Sequence, residues 1–314
     1  MKRMEKSANI FRFKQFCVVN ERSAMKVNTD GVLLGALVTI SQDDRRLLDI
    51  GTGTGTIALM VAQRLAHISV EQGMSCHQAV DVVVASEGHC GAEEQSITPL
   101  SCSASCSVRA GHDNGQNVPI HIDAIDIDEP SSAEAASNFR NSPWGDILHA
   151  HHASLDEFST QIAESGENIG SGHDTDPSDC SKGYDLIFSN PPYFDCSLQA
   201  PEERRNAARH TSTGLSYREI LDFASSHLST RGRVALVLPS DTERDLTRHA
   251  RMSGLYLHKI TRIRTVPRKA PSRIVAEFAR HRTDAPADTI LTIQDGGQYT
   301  QEYLDLMHEF YLFA

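Results

Sequence analysis

The run Asp-Ile-Gly-Thr-Gly-Thr-Gly at 49–55 constrains this chain more than any other feature, because of what flanks it. Before it stands a short apolar segment, RLLDI at 46–50, and after it the helix-forming run IALMVAQRLA that ends at Ala66. Strand, tight turn and helix is the reading this order imposes. Glycines at 51, 53 and 55 let the chain turn sharply with a ligand against bare backbone, while the first free N–H groups of the helix face that ligand. The spacing is G-x-G-x-G with a carboxylate, Asp49, just ahead of it. A cationic ligand such as S-adenosylmethionine suits that arrangement better than the pyrophosphate of a dinucleotide.

The rest of the chain continues the alternation. HIDAIDID at 121–128 reads as a strand and EAASNFRNSP as a helix stopped by Pro143. DLIFSN at 185–190 and RVALVLP at 233–239 are further strands, with helices YREILDFASSHLS at 217–229 and DTERDLTRHARMSG at 241–254. Strands and helices in this rhythm predict an α/β, mainly parallel sheet covered on both faces. In the first helix, Leu59 and Met60 against Gln63 and Arg64 suggest one apolar and one polar face. Two stretches interrupt the rhythm. Residues 67–118 and 164–183 are rich in Ser, Gly and acids where a βαβ unit needs only a few loop residues, so both read as loop insertions.

The net charge of −11 looks unfavourable for a nucleic-acid partner, but it is unevenly spread. The two insertions contribute −5 and −4, whereas 204–282 holds 17 Lys or Arg against six Asp or Glu. A basic C-terminal third is compatible with RNA or with solubility alone. No segment approaches the roughly 20 apolar residues of a membrane helix, and the N-terminus lacks the apolar core of a signal peptide. Seven cysteines without framework spacing fit a reducing compartment, so the cytoplasm is expected. Cys76, His77, His89, Cys90, Cys102, Cys106 and His112 crowd the first insertion but form no tight C-x2-C pair, and no metal is expected.

Two further signals carry chemistry. An acid at the end of the second strand is the expected partner of ribose hydroxyls, and Asp126 fills that place; removing the first insertion restores the usual offset from the glycines. SNPPYF at 189–194 follows directly on a strand. Two prolines fix the backbone there and remove two donors, so the Asn190 side chain and the Pro191 carbonyl can accept from one exocyclic amino group, with Pro192 rigidifying the turn and Tyr193 placed to stack on a planar base. Cys196 has no activating partner, and no G-x-S-x-G elbow occurs.

DIGTGTG, Asp126 and NPPY together resemble the class I S-adenosylmethionine-dependent methyltransferases that modify exocyclic nitrogens. FRFKQFCV at 11–18, MKVNTDGVLLGA at 25–36, NFRNSPW at 138–144, DLIFSNPPYF at 185–194, ARHT at 208–211 and FYLF at 310–313 are similar to the bacterial tRNA(Val) adenine-N6 methyltransferases acting next to the anticodon. The resemblance implies a Rossmann-like sheet of seven strands over 46–314, with residues 1–45 packing over the cofactor site. It makes Asp49, Gly51, Gly53, Gly55 and Asp126 the S-adenosylmethionine site, joined by Lys26, Thr29 and Asp30, and makes Asn190 to Tyr193 the base clamp. Where the family has an acid for the cofactor's adenine, this chain has Ser154, with Asp156 as an alternative. The tRNA partner would meet Arg209, His210, Arg264, Arg268, Lys269 and Arg273. A guanine N2 of ribosomal RNA, a release-factor glutamine amide, or RNA binding without catalysis are the competing readings.

Overall fold

The computed structural model describes residues 9–71, 119–164, 183–192 and 215–312. Most of both expected insertions, with all their cysteines and every histidine except His67, therefore lies outside the described residues, as do Tyr193, Cys196, Arg209 and His210.

A small hairpin, β1 (Ile10–Arg12) and β2 (Cys17–Val19), opens the chain, followed by α1 (Thr29–Leu37). Then come β3 (Arg46–Ile50), α2 (Thr56–Glu71), β4 (His121–Asp126), α3 (Glu129–Arg140), β5 (Leu148–His152), α4 (Leu155–Glu164) and β6 (Tyr184–Ser189). The second half adds α5 (Tyr217–His227), β7 (Leu228–Pro239), a 3-10 turn at Ser240–Thr242, α6 (Glu243–Met252), β8 (Tyr256–Arg264), β9 (Arg273–Ala279), β10 (Ala287–Thr292), the hairpin strands β11 (Gln294–Asp295) and β12 (Gln298–Tyr299), and α7 (Gln301–Met307).

Among the described residues, eight strands form one sheet in the order β10-β8-β9-β7-β6-β3-β4-β5. β5, β4, β3, β6 and β7 are parallel, and β9 runs antiparallel between β7 and β8. The seven expected strands are joined by an eighth, β10, paired parallel with β8 at the edge. The central strands are apolar on both faces, as burial on both sides requires. Leu47, Leu186 and Phe188 face a core shared with α1, α2, α3 and α7, while Leu48, Ile187 and Leu236 face α4, α5 and α6.

The two-faced reading of α2 needs correction. Its residues are buried from Thr56 through Gln63, because α1 crosses its outer side. The crossing is close: a Cβ on Gly35 would lie 2.9 Å from the Met60 sulfur. Gln63 is fully buried and donates to the Glu309 carbonyl at 2.9 Å, while Arg64 donates to the carbonyls of Gly35 and Val38. Polar side chains thus tie α2 to its cover instead of facing water.

The third glycine of the turn serves packing. Gly55 has φ +81°, and a Cβ there would come within 2.4 Å of the Phe139 ring on α3. Gly254, at the end of α6, has a similar φ of +76° with open space around it. Alanine at 254 is expected to cost about 1–2 kcal/mol of backbone strain. Alanine at 55 adds the displacement of a buried ring, about 1–3 kcal/mol more. Urea unfolding of the two variants should therefore differ clearly; equal losses would show that Phe139 gives way freely.

Candidate functional site

The glycine turn is pinned to the end of the neighbouring strand. Gly51 and Thr52 both donate backbone N–H groups to the Ile125 carbonyl, at 2.9 and 3.0 Å, and Gly53 donates to Asp126 Oδ2 at 2.8 Å. Positive φ at Gly51 and Gly53 turns these amides across the strand ends, and the Ser23 hydroxyl and Met25 carbonyl stand only 3.5 Å from where a Gly53 Cβ would be. Asp126 Oδ1 accepts from the Asp128 amide at 2.9 Å. Burial raises its carboxyl above the usual range, which those two amides oppose. Asp128 is the N-cap of α3, accepting from Ser131 N–H, so the two acids of this strand end have separate duties.

Asp49 lies behind the turn with no exposed surface. Thr52 donates its hydroxyl to Oδ2 at 2.7 Å, while Oδ1 has no hydrogen-bond partner among the described residues. Burial pushes this carboxyl up to about 7, and nearby Asp126 adds to the effect, against the pull of the Thr52 hydroxyl and the Ala58 amide. An orphaned buried carboxylate oxygen is expensive, and a cation reaching it would relieve that penalty. The donor set fits a ligand that brings a positive charge to Asp49 and hydroxyls to Asp126.

A strap from the N-terminal segment covers this turn. Glu134 of α3 is buried, and its carboxylate accepts three consecutive backbone N–H groups, from Glu21, Arg22 and Ser23, at 2.7–2.9 Å. Asn138, one turn further, clasps Val19 through both its amide atoms and donates to the Thr54 carbonyl. The strap, α3 and the glycine turn are thereby one hydrogen-bonded unit. Lys26 holds the strap's own bend, its Nζ donating to the carbonyls of Asn20 and Glu21 at 2.8 Å each. Thr29 begins α1 and is exposed.

Asn190 meets the strap from the opposite side. It follows β6, whose last residue, Ser189, donates its hydroxyl to the Ile50 carbonyl at 2.6 Å. Only 6% exposed, it places Nδ2 3.4 Å from Asn28 Oδ1 and 3.7 Å from the Met25 sulfur. Met25, Asn28, Gly51, Gly53, Thr56 and Asn190 line one narrow cleft at the carboxyl ends of the parallel strands. That is where doubly wound sheets bind ligands.

No family model matches the chain. Among curated proteins, a tRNA1(Val) (adenine(37)-N6)-methyltransferase of Flavobacterium johnsoniae is 34% identical over 304 residues, covering 96% of this chain and 99% of the relative. Its counterpart from Bacteroides fragilis is 32% identical over 306 residues, covering 98% and 99%. The chain belongs to this methyltransferase family. Among solved structures, a predicted O-methyltransferase from Agrobacterium tumefaciens covers 90% of this chain and 96% of its own, with a TM-score of 0.52 and 14% identity, a likeness of fold.

Several of the expected residues make contacts of their own within the structure. Arg273 is ion-paired with Asp30 at 2.9 Å, so it braces the start of α1 against the start of β9. Arg264 donates to the Thr292 hydroxyl and the Pro267 carbonyl. Arg268 and Lys269 stand exposed in the turn 265–272, which the Ser240 hydroxyl holds through the Pro271 carbonyl. Ser154 forms a reciprocal cap with Glu157: its N–H and hydroxyl donate to Glu157 Oε2, and Glu157 N–H donates to its oxygen. Among the described residues no helix is long and apolar enough to cross a membrane, and no group of three His, Cys, Asp or Glu could hold a metal.

Glu134, Asn138 and Asn28 were not singled out from the sequence. One signal existed: Ser131, Glu134 and Asn138 fall on one face of their helix, a polar stripe turned inward.

The buried acid sets a pH dependence of stability. Unfolded, Asp49 ionises near 3.8; folded, near 7. Between those values the folded chain keeps a proton that the unfolded chain has lost, so stability falls as pH rises, by an amount on the order of 4 kcal/mol. Below about pH 4 the group has no effect, and above 7 the deficit is complete. Asp49→Asn should remove this fall, becoming more stable than wild type at pH 8 but not at pH 4. Parallel stability curves for the two proteins would overturn the assignment.

Proposed function

We propose that this chain methylates N6 of adenine 37 in valine tRNA, as the names of its relatives state for them, using S-adenosylmethionine. The observation that carries this reading is one narrow cleft lined by the glycine turn and Asn190, with Asp49 buried directly behind the turn and one of its oxygens without a hydrogen-bond partner among the described residues. S-Adenosylmethionine supplies a methyl group on a positively charged sulfur, together with an ammonium and a ribose diol.

Asp49 would then answer the ammonium end through the turn, and Asp126 would accept from the ribose hydroxyls with the lone pairs left beside its two amide bonds. Ile127, 70% exposed just beyond Asp126, offers an apolar wall to an adenine ring. Gly51 and Gly53 keep that cradle free of side chains, and the strap residues Met25 to Asn28 close it from above. Ser154 and Glu157 stand at the next strand end as polar neighbours of that ring.

The target nitrogen is a weak nucleophile because its lone pair is delocalised into the purine. Two acceptors, Asn190 Oδ1 and the Pro191 carbonyl, would hold its two hydrogens and favour a pyramidal nitrogen aimed at the methyl carbon. As the N–C bond forms, the C–S bond breaks and its electron pair stays on sulfur; the extra proton on N6 then leaves to solvent. No strong base is required, since the alkylated nitrogen is acidic. Tyr193 would stack on the flipped base, and an anticodon-loop nucleotide is cheap to flip because it is already single-stranded.

Recognition of the tRNA backbone falls to the rim beside the cleft. β8 is parallel to β7, so the β8–β9 turn with Arg268 and Lys269 lies at the same end of the sheet as Asn190. Their side chains make no hydrogen bond or ion pair among the described residues and remain open to phosphates, with Arg209 and His210 as further candidates. Arg264 and Arg273 would contribute field and not direct contact.

Labelled methyl transfer to transcripts of valine tRNA, another tRNA and ribosomal RNA, followed by nucleoside analysis, tests the reaction. N6-methyladenosine confined to valine tRNA, and lowered at least 100-fold by Asn190→Ala, is expected. Label in guanosine, or in a release factor offered in parallel, would overturn the substrate. Replacing Arg268 and Lys269 together by Glu should weaken tRNA binding and reduce the slope of log K against log salt by about 1–2. An unchanged slope would remove the turn from the RNA surface.

A further inference from the structure

The side chain of Asn28 has an unambiguous polarity. Its Oδ1 lies 2.8 Å from the backbone nitrogen of Gly31, which can only donate, and its Nδ2 lies 3.0 Å from the carbonyl oxygen of Lys26, which can only accept. Both atoms are thereby assigned by backbone groups and not by convention. The same Oδ1 faces the Asn190 amide at 3.4 Å. An acceptor there requires that the facing atom of Asn190 be the NH2 group, and the Met25 sulfur, a weak acceptor, faces that group too at 3.7 Å. Turning the Asn190 amide over would set two carbonyl oxygens against each other in a nearly closed site.

We infer that Asn28 is a positioning residue for Asn190: it selects which way the Asn190 amide lies, so that Oδ1 is the branch turned to the target amino group. The inference rests on the proposed role of Asn190 as acceptor for that group. An inverted amide would present NH2 to the hydrogens of N6, a donor facing donors, with no acceptor to shape the nitrogen. Because Asn28 is also the N-cap of α1, the backbone of the helix itself dictates the orientation.

The test separates capping from positioning. Serine caps helices about as well as asparagine but is too short to reach Asn190, whereas aspartate keeps both the cap and the facing oxygen and gives up only the donor to the Lys26 carbonyl. Asn28→Ser is expected to melt as wild type does, with an unchanged KM for valine tRNA and kcat lowered about 10–100-fold. Asn28→Asp should recover at least fivefold of that loss. A wild-type kcat in Asn28→Ser, or equal kcat values in the Ser and Asp variants, would overturn the inference. Asn190→Ala is measured alongside: if it alone retains wild-type kcat, the role of Asn190 as acceptor fails first, and the positioning role falls with it.

Discussion

The hydrogen bonds that pin the glycine turn to the end of β4 are what the rest of the site depends on. Two amides on one carbonyl and a third on Asp126 fix where β3 ends, where α2 begins and where the Asp126 carboxylate points. A turn with three positive φ values has a high conformational entropy when unfolded, so it persists only if its backbone groups are satisfied. They are satisfied by the parallel neighbour. Asp126 thereby holds two amides at once, that of Gly53 in the turn and that of Asp128 ahead of α3.

The strap is built on the same logic from the other side. Three successive amides at 21–23 would be unsatisfied if they packed on an apolar surface, so α3 offers them a carboxylate. A buried acid in such a nest has its charge spread over three donors, and it aligns the strap above the turn. Met25 and Asn28 come into the cleft from that alignment. The cover of the site is thus held by backbone hydrogen bonds, which tolerate side-chain change in the strap far better than packing alone would.

What the sequence made legible was local. Asp49, the glycines, Asp126 and Asn190 announce themselves because each sits at a strand end, where residue type and neighbouring turn chemistry carry the meaning within a few positions. The long-range pairings were not legible. Glu134 and Ser23 are 111 residues apart, and neither has a reason to stand out until they meet. Asp30 and Arg273, read singly as a cofactor residue and a phosphate contact, are 243 apart and form an ion pair. The fully buried Gln63 misled because periodicity shows which side of a helix is apolar but not how many neighbours cover it. β10 escaped notice since an edge strand with mostly exposed residues, ADTILT, lacks the apolar run that marked the central strands.

The reversal of β9 explains how an acidic chain presents cations beside its cleft. In an all-parallel arrangement the link from β7 to its neighbour would be a helical crossover, returning the chain at the far end of the sheet. Running β9 antiparallel joins β8 and β9 by a short turn at the ligand end instead, so a few residues can project there with little added surface. Where cations on the adjoining strands could collapse onto the site they are tied down: Arg262 by Glu243 and Asp288, Arg273 by Asp30, Arg264 by Thr292. Arg268 and Lys269 at the tip are left exposed. Pairing the inner cations lowers the positive field around the cleft, while the two at the tip keep their charge in solvent.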